Sequence, residues 1–255
     1  AAKGPAAIRE ALFSDRGNLA SELGLELGYD IDLRDEGDVC LSETPRDVET
    51  IADHVAAIAA HGGTPICLGG DHAVTYPIVQ GLARHHGPVS ILHFDAHPDL
   101  YDDFEGNPLS HASPFARITE AGLARRLVQI GIRTMNRHCR AQAARFGVEV
   151  IEMQDFALEA APIFDSPFYI SLDLDVLDPS QMPGVSHPEP GGLFVRDVMQ
   201  ILHRQKAPVI GADIVEFNPE AATGPLSAVT AAKFVKELAA LATRNTSDFE
   251  RLPIT

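Results

Sequence analysis

The stretch 168-FYISLDLDVLDP-179 decides the fold. It begins as a run of strand-forming apolar residues and then sets Asp173 and Asp175 two positions apart. An apolar run of this length, ending in acids, reads as a buried parallel strand whose carboxyl end reaches a site. Two carboxylates side by side at such an end repel, and one takes up a proton unless a cation neutralises the pair. Asp178, just before Pro179, reads instead as a turn residue.

The same theme recurs outward from this stretch, in 65-PICLGGDH-72, 89-VSILHFDAHPD-99 and 208-PVIGADIVEFNP-219, with a further apolar run at 126-RLVQIGIR-133. Between these runs, segments 47–61, 75–86, 136–147, 194–205 and 226–244 carry apolar residues at three- and four-residue intervals, as amphipathic helices do. Strands alternating with helices predict a three-layer α/β/α fold around a mainly parallel sheet. Ligands of such sheets bind beyond the carboxyl ends of the strands, so the four polar tails converge on one rim. Pro- and Gly-rich loops at 106–114 and 182–192 follow acidic strand ends and read as walls of a pocket. The tail 245-NTSDFERLPIT-255 reads as a loosely held terminus.

With an extended backbone, Asp95, His97 and Asp99 of 94-FDAHPDL-100 project to one side, and the same alternation aligns Asp173 with Asp175. His72 in 69-GGDH-72 follows two glycines that let the backbone approach a site closely, and Asp71 reads equally as a helix cap or as an orienting group. These two imidazoles and four carboxylates exceed what one ion uses. An oxygen-dominated donor set with a minority of imidazole suits two manganese ions better than a structural zinc site.

The whole chain of 255 residues has ordinary globular composition and reads as a single domain. Its net charge of -16 opposes nonspecific nucleic-acid binding, which needs a basic face, and suits a cationic small substrate. Cys40, Cys67 and Cys139 form no CxxC pair, so reduced thiols and a cytoplasmic location are expected. No apolar run approaches the roughly 20 residues that span a bilayer. The chain opens at Ala1 without a methionine, which leaves room for an upstream targeting peptide.

GGDH, DAHPD and SLDLDVLDP, in this order and spacing, resemble the ureohydrolases, the arginase and agmatinase family. The resemblance extends from 4-GPAAIREAL-12 through 183-PGVSHPEPGG-192 to 213-DIVEFNP-219. The segment 101-YDDFEGNPLSHASPFARI-118 looks most like the plant-type arginases and their bacterial relatives. What the resemblance implies is an arginase-like fold holding two manganese ions. His72, Asp95, Asp99 and Asp173 would bind one ion, and Asp95, His97, Asp173 and Asp175 the other. His111 would shuttle protons, with Asp99 passing on the proton of the attacking water, and Glu216 would hold a substrate guanidinium. Asn107, with Ser110, would meet the substrate's tail. The implied reaction releases urea from arginine or agmatine, in a homotrimer or homohexamer. The family's usual first strand and loop would precede Ala1. Other readings are a different guanidino-acid or guanidine hydrolase, an amide-cleaving deacetylase of related architecture, and a noncatalytic metal-binding assembly protein.

Overall fold

The computed structural model describes the backbone of residues 1–250 and the side chains of residues 1–245. Six strands, β1 (Ile66–Leu68), β2 (Val89–Phe94), β3 (Ala124–Ile132), β4 (Glu149–Glu152), β5 (Phe168–Asp173) and β6 (Val209–Val215), form one all-parallel sheet in the order β1-β6-β5-β2-β3-β4. Helices α1 (Gly4–Leu12), α2 (Arg46–Ala60), α3 (Thr75–His86), α4 (Pro114–Glu120), α5 (Arg137–Phe146), α6 (Val195–Arg204) and α7 (Leu226–Glu250) make the crossovers and cover both faces. The fold is therefore the expected three-layer α/β/α arrangement, and every predicted strand and helix is present within a few residues.

Two buried clusters lie on the two sides of the sheet. Tyr169 packs with Ile78, Leu82 and Ile91 on one side, while Phe168, Ile170 and Leu172 join Phe234 and Leu238 of α7 on the other. All six residues of β2 and of β5 are buried, as strands covered on both faces must be. The chain leaves β2 for β3 on one side and later returns to β5 on the other, so the switch point falls between β2 and β5. A crevice opens there by topology alone.

Gly131 shapes that crevice. It sits at φ +99° where the β3–β4 register slips, and a Cβ there would collide with Val176 Cγ2 and meet Asp95 O at 2.9 Å. Only glycine lets β3 bend away from two chain segments this close.

Two expectations are corrected, and the choice left open at Asp71 falls to the cap. Strand alternation does not align the acids: β2 ends at Phe94, residues 95–100 form an irregular turn, and Leu174–Val176 is a 3-10 turn. Positive φ at Asp99 (48°) and the Asp173 side chain, accepting from Asp175 N at 2.8 Å, turn these donors toward one another. The tail is not loose from its start, since α7 runs on to Glu250 and Asn245 is buried, donating to Gln205 O and Ala207 O. Residues 251–255 of that expected tail lie outside the described residues. Asp71 caps the turn His72–Val74, accepting from Ala73 N.

Candidate metal centre

Parallel pairing of β2 with β5 sets His93 opposite Ser171 and Phe94 opposite Leu172. One step further, Asp95 and Asp173 leave the two central strands side by side, at the switch point. His72 enters from the loop after β1. Its Nδ1 lies 3.1 Å from Asp95 Oδ2, 3.0 Å from Asp99 Oδ2 and 3.1 Å from Asp173 Oδ2. None of these contacts has hydrogen-bond geometry, and Nδ1 is a buried nitrogen with no hydrogen-bond partner. A ring nitrogen enclosed by three carboxylate oxygens fits a cation among them. Donors about 2.1 Å from an ion and at right angles to one another stand about 3 Å apart, the spacing seen.

This inner half is sealed, with His72 and Asp173 at most 2% exposed. The outer half lies toward solvent. There His97 Nδ1 is 2.9 Å from Asp175 Oδ2 and 3.4 Å from Asp95 Oδ1, and the His97 side chain is 30% exposed. Asp95 thus turns one oxygen to each half. Asp95, His97 and Asp175 have donor atoms close enough to share an ion.

Electrostatics carry the same message. Burial, with the charge of Asp95 beside them, pushes Asp99 up to about 7 and Asp175 up to about 6, and raises Asp173 well above the carboxylate range with Asp175 as a further cause. Burial alone would lower His97, but Asp175 and Asp95 outweigh it and lift it to about 12. Among the described residues no lysine or arginine forms an ion pair with these carboxylate oxygens, and buried negative charge of this kind calls for cations.

His93 falls within reach of the inner half but is not a free donor. Its Nε2 meets Asp95 Oδ2 at 2.9 Å and its Nδ1 accepts from Gln129 Nε2 at 3.1 Å, so both nitrogens are engaged and the ring orients Asp95. Burial lowers His93 to about 4, keeping it neutral. Arg133 is a second residue that no motif marks. It donates to Asp175 O at 2.7 Å and to Glu189 O at 2.6 Å, stapling the loop 182–192 onto the turn that carries Asp175. His93 was legible as a lone polar residue two positions before Asp95; Arg133 offered no signal.

The remaining expected residues surround the mouth. Glu216, at φ +64°, is buried; its Oε1 accepts from His72 N at 2.9 Å, and burial raises its carboxyl to about 7. Strained left-handed backbone at both Asp99 and Glu216 is the kind held in place at functional sites. His111 is half-buried and stacks on His187, rings 5.3 Å apart and 10° from parallel. Asn107 is exposed, its Oδ1 accepting from Leu109 N, whereas Ser110 is buried against Ser113, Oγ to Oγ 3.1 Å. Asp178 serves its turn, accepting from Ser180 N and Gly191 N.

A parallel sheet whose central strand ends bring imidazoles and carboxylates together defines an α/β/α protein with a candidate metal centre at the switch point. The family model for the arginase family matches residues 1–240. The chain belongs to that family, whose members are hydrolases acting on amidino groups. It is 47% identical over 254 residues to "Arginase 1, mitochondrial" of Arabidopsis thaliana, covering 92% of this chain and 74% of that protein. The arginase from Medicago truncatula superposes with a TM-score of 0.89 at 41% identity, over 94% of this chain and 80% of that one. The agmatine ureohydrolase of Thermoplasma volcanium gives 0.83 at 29% identity, over 98% and 85%.

Proposed function

We propose that this chain is a two-manganese hydrolase that cleaves the guanidinium of arginine to ornithine and urea, with agmatine as the alternative substrate. The observation that carries this reading is the orphaned His72 Nδ1 among three carboxylates, one residue of which is shared with the His97 half. His72, Asp95, Asp99 and Asp173 would hold one ion, and Asp95, His97, Asp173 and Asp175 the other. Bound there, divalent cations supply what no side chain in the cleft does, activation of water as a nucleophile near neutral pH.

The chain's own groups do the rest. Glu216 is fixed by the His72 amide and can pair with the guanidinium through charge-assisted hydrogen bonds, which sets the angle of attack. Asp99 can take the proton of the attacking water and return it to the leaving amine. His111, half-buried at the mouth, can exchange that proton with solvent through its imidazole.

Arginine is favoured over agmatine by the 47% identity to a plant arginase and by the loop after Asp99. The two acids of that loop are engaged within the structure, Asp102 with His138 at 2.7 Å and Asp103 with Gly106 N at 2.6 Å. Among the described residues Asn107 Nδ2 donates to no group, which leaves it for the α-carboxylate of arginine. The reading includes a single catalytic domain over residues 1–255 and a homotrimer or homohexamer, supported by the family resemblance. The name of the Arabidopsis relative supports a mitochondrial location as an alternative to the cytoplasm. Among the described residues no helix is long and apolar enough to cross a membrane.

The test is urea release after manganese loading, compared across arginine, agmatine, guanidinobutyrate and guanidine. Arginine is expected to give the highest kcat/KM. No urea from any of the four, with manganese shown to be bound, overturns the reading.

A further inference from the structure

One layer behind the metal centre, a row of polar side chains crosses the sheet. Register sets Gln129 opposite His93, His93 opposite Ser171, and Ser171 opposite Asp213, on β3, β2, β5 and β6 in turn. All four are fully buried, in a layer that apolar residues otherwise fill. Burying a carboxylate such as Asp213 is costly, and packing alone gives no reason to keep one.

Its hydrogen bonds supply a reason. Asp213 accepts three hydroxyl donors, Tyr169 Oη and Thr75 Oγ1 (2.7 Å) on Oδ2, and Ser171 Oγ (2.8 Å) on Oδ1. Ser171 has a single hydroxyl proton, and it is given to Asp213. Its oxygen can then only accept from the neighbour on its other side, His72 Nε2 at 3.0 Å. The His72 proton is thereby held on Nε2. The Nδ1 lone pair is left facing Asp95, Asp99 and Asp173. Tyr169 and Thr75 occupy the other Asp213 oxygen, which fixes the direction of the whole chain.

We infer that Ser171 and Asp213 are positioning residues for the inner ion: by locking the His72 tautomer they make Nδ1 a ligand, and they act on the inner half without touching the outer. This rests on the two-ion reading above. A group that orients a ligating histidine typically changes metal affinity by roughly 10–100-fold when removed.

The experiment measures bound manganese rather than turnover. Wild type, Ser171→Ala and Ser171→Thr are dialysed to equilibrium against buffered free manganese over a range of concentrations. Metal per chain is read by elemental analysis, and the spin-coupled manganese pair by electron paramagnetic resonance. Wild type and Ser171→Thr, which keeps the hydroxyl, are expected to hold two ions and show the coupled signal. Ser171→Ala is expected to bind its inner ion roughly 10–100-fold more weakly and to hold one ion, with an uncoupled signal, where wild type holds two. Asp213→Leu, of similar shape but with no oxygen to accept the Ser171 proton, is expected to show the same selective loss and stands in if Ser171→Ala does not fold. Two ions in wild type and in either of these variants, at equal affinity, overturn the relay alone. A wild type that holds fewer than two ions overturns the two-ion reading and the relay with it.

Discussion

The two halves of the centre share Asp95 yet differ in almost every other respect. Around His72, three carboxylates are sealed behind the strand ends, with a relay fixing the ring from behind. Around His97, the imidazole is 30% exposed and faces the mouth, where His187 lies with ring centroids 6.3 Å away and in turn stacks on His111. Enclosure and access are thus divided between the halves. On the two-ion proposal, the inner half would keep its ion and the outer half would meet water and substrate.

The largest effect should come from removing what the halves share. Asp95→Ala or Asp173→Ala should abolish binding of both ions and cut urea release by about 10³-fold or more, equivalent to about 4 kcal/mol of barrier. Elemental analysis and a urea assay check this together, and retention of one tightly held ion in either variant would break the shared-ligand assignment. Next comes Gly131→Ala, which touches no donor atom. A Cβ there meets Asp95 O and Val176, so the loss of stability should be about 2–4 kcal/mol, with weakened binding in both halves. A urea denaturation midpoint matching wild type would show that the bend is not needed.

A smaller effect separates the halves. Chelation should remove manganese in two phases, the exposed His97 half first, and His97→Ala should abolish the fast phase while leaving the slow one. A single phase in wild type would erase the distinction between sealed and open. The smallest effect concerns pH. Asp99 and Asp175 titrate at about 7 and about 6 in the folded, metal-free chain, above the roughly 3.9 of an unfolded aspartate. A raised carboxylate value means the fold binds more protons than the unfolded chain, so each group costs stability as pH climbs from about 4 through its folded value. Bound cations remove that cost, and protons compete with them below it. The rise in Tm on adding manganese should therefore be several degrees greater at pH 7.5 than at pH 5.5. Calorimetry that gives an equal or reversed difference would remove charge repulsion as the force that demands the ions.

Much of the site was legible because its motifs are local. DAHPD and DLD carry their donors within five residues, and an apolar strand ending in acids names its own carboxyl end. What escaped lacked such a pattern. β4 is a short edge strand, EVIE, whose exposed Glu149 pairs with Arg126, so no apolar alternation marks it. Helix α4, only seven residues, hides behind the Pro- and Ser-rich loop that it caps with Pro114. Between α1 and α2, an irregular stretch anchors itself through Leu27 and Ile31, buried in the core, and through Glu22 N, which donates to the buried Glu237 of α7. Such anchors pair residues more than 200 positions apart, and no window of sequence contains both.

Strand-helix alternation, the parallel sheet it implies, and the His and Asp residues proposed as donors are readable from the chain alone, since periodicity and residue chemistry are local. How those residues meet is set by the folded chain. Extended alternation is not what aligns Asp95 with Asp99 or Asp173 with Asp175; turns do, made possible by positive φ at Asp99 and by the bend at Gly131. Strand register decided that Asp95 and Asp173 stand side by side, and that Ser171 lies between His72 and Asp213. Register is a property of paired backbones, fixed by packing on both faces of the sheet, and it is not written in any one strand.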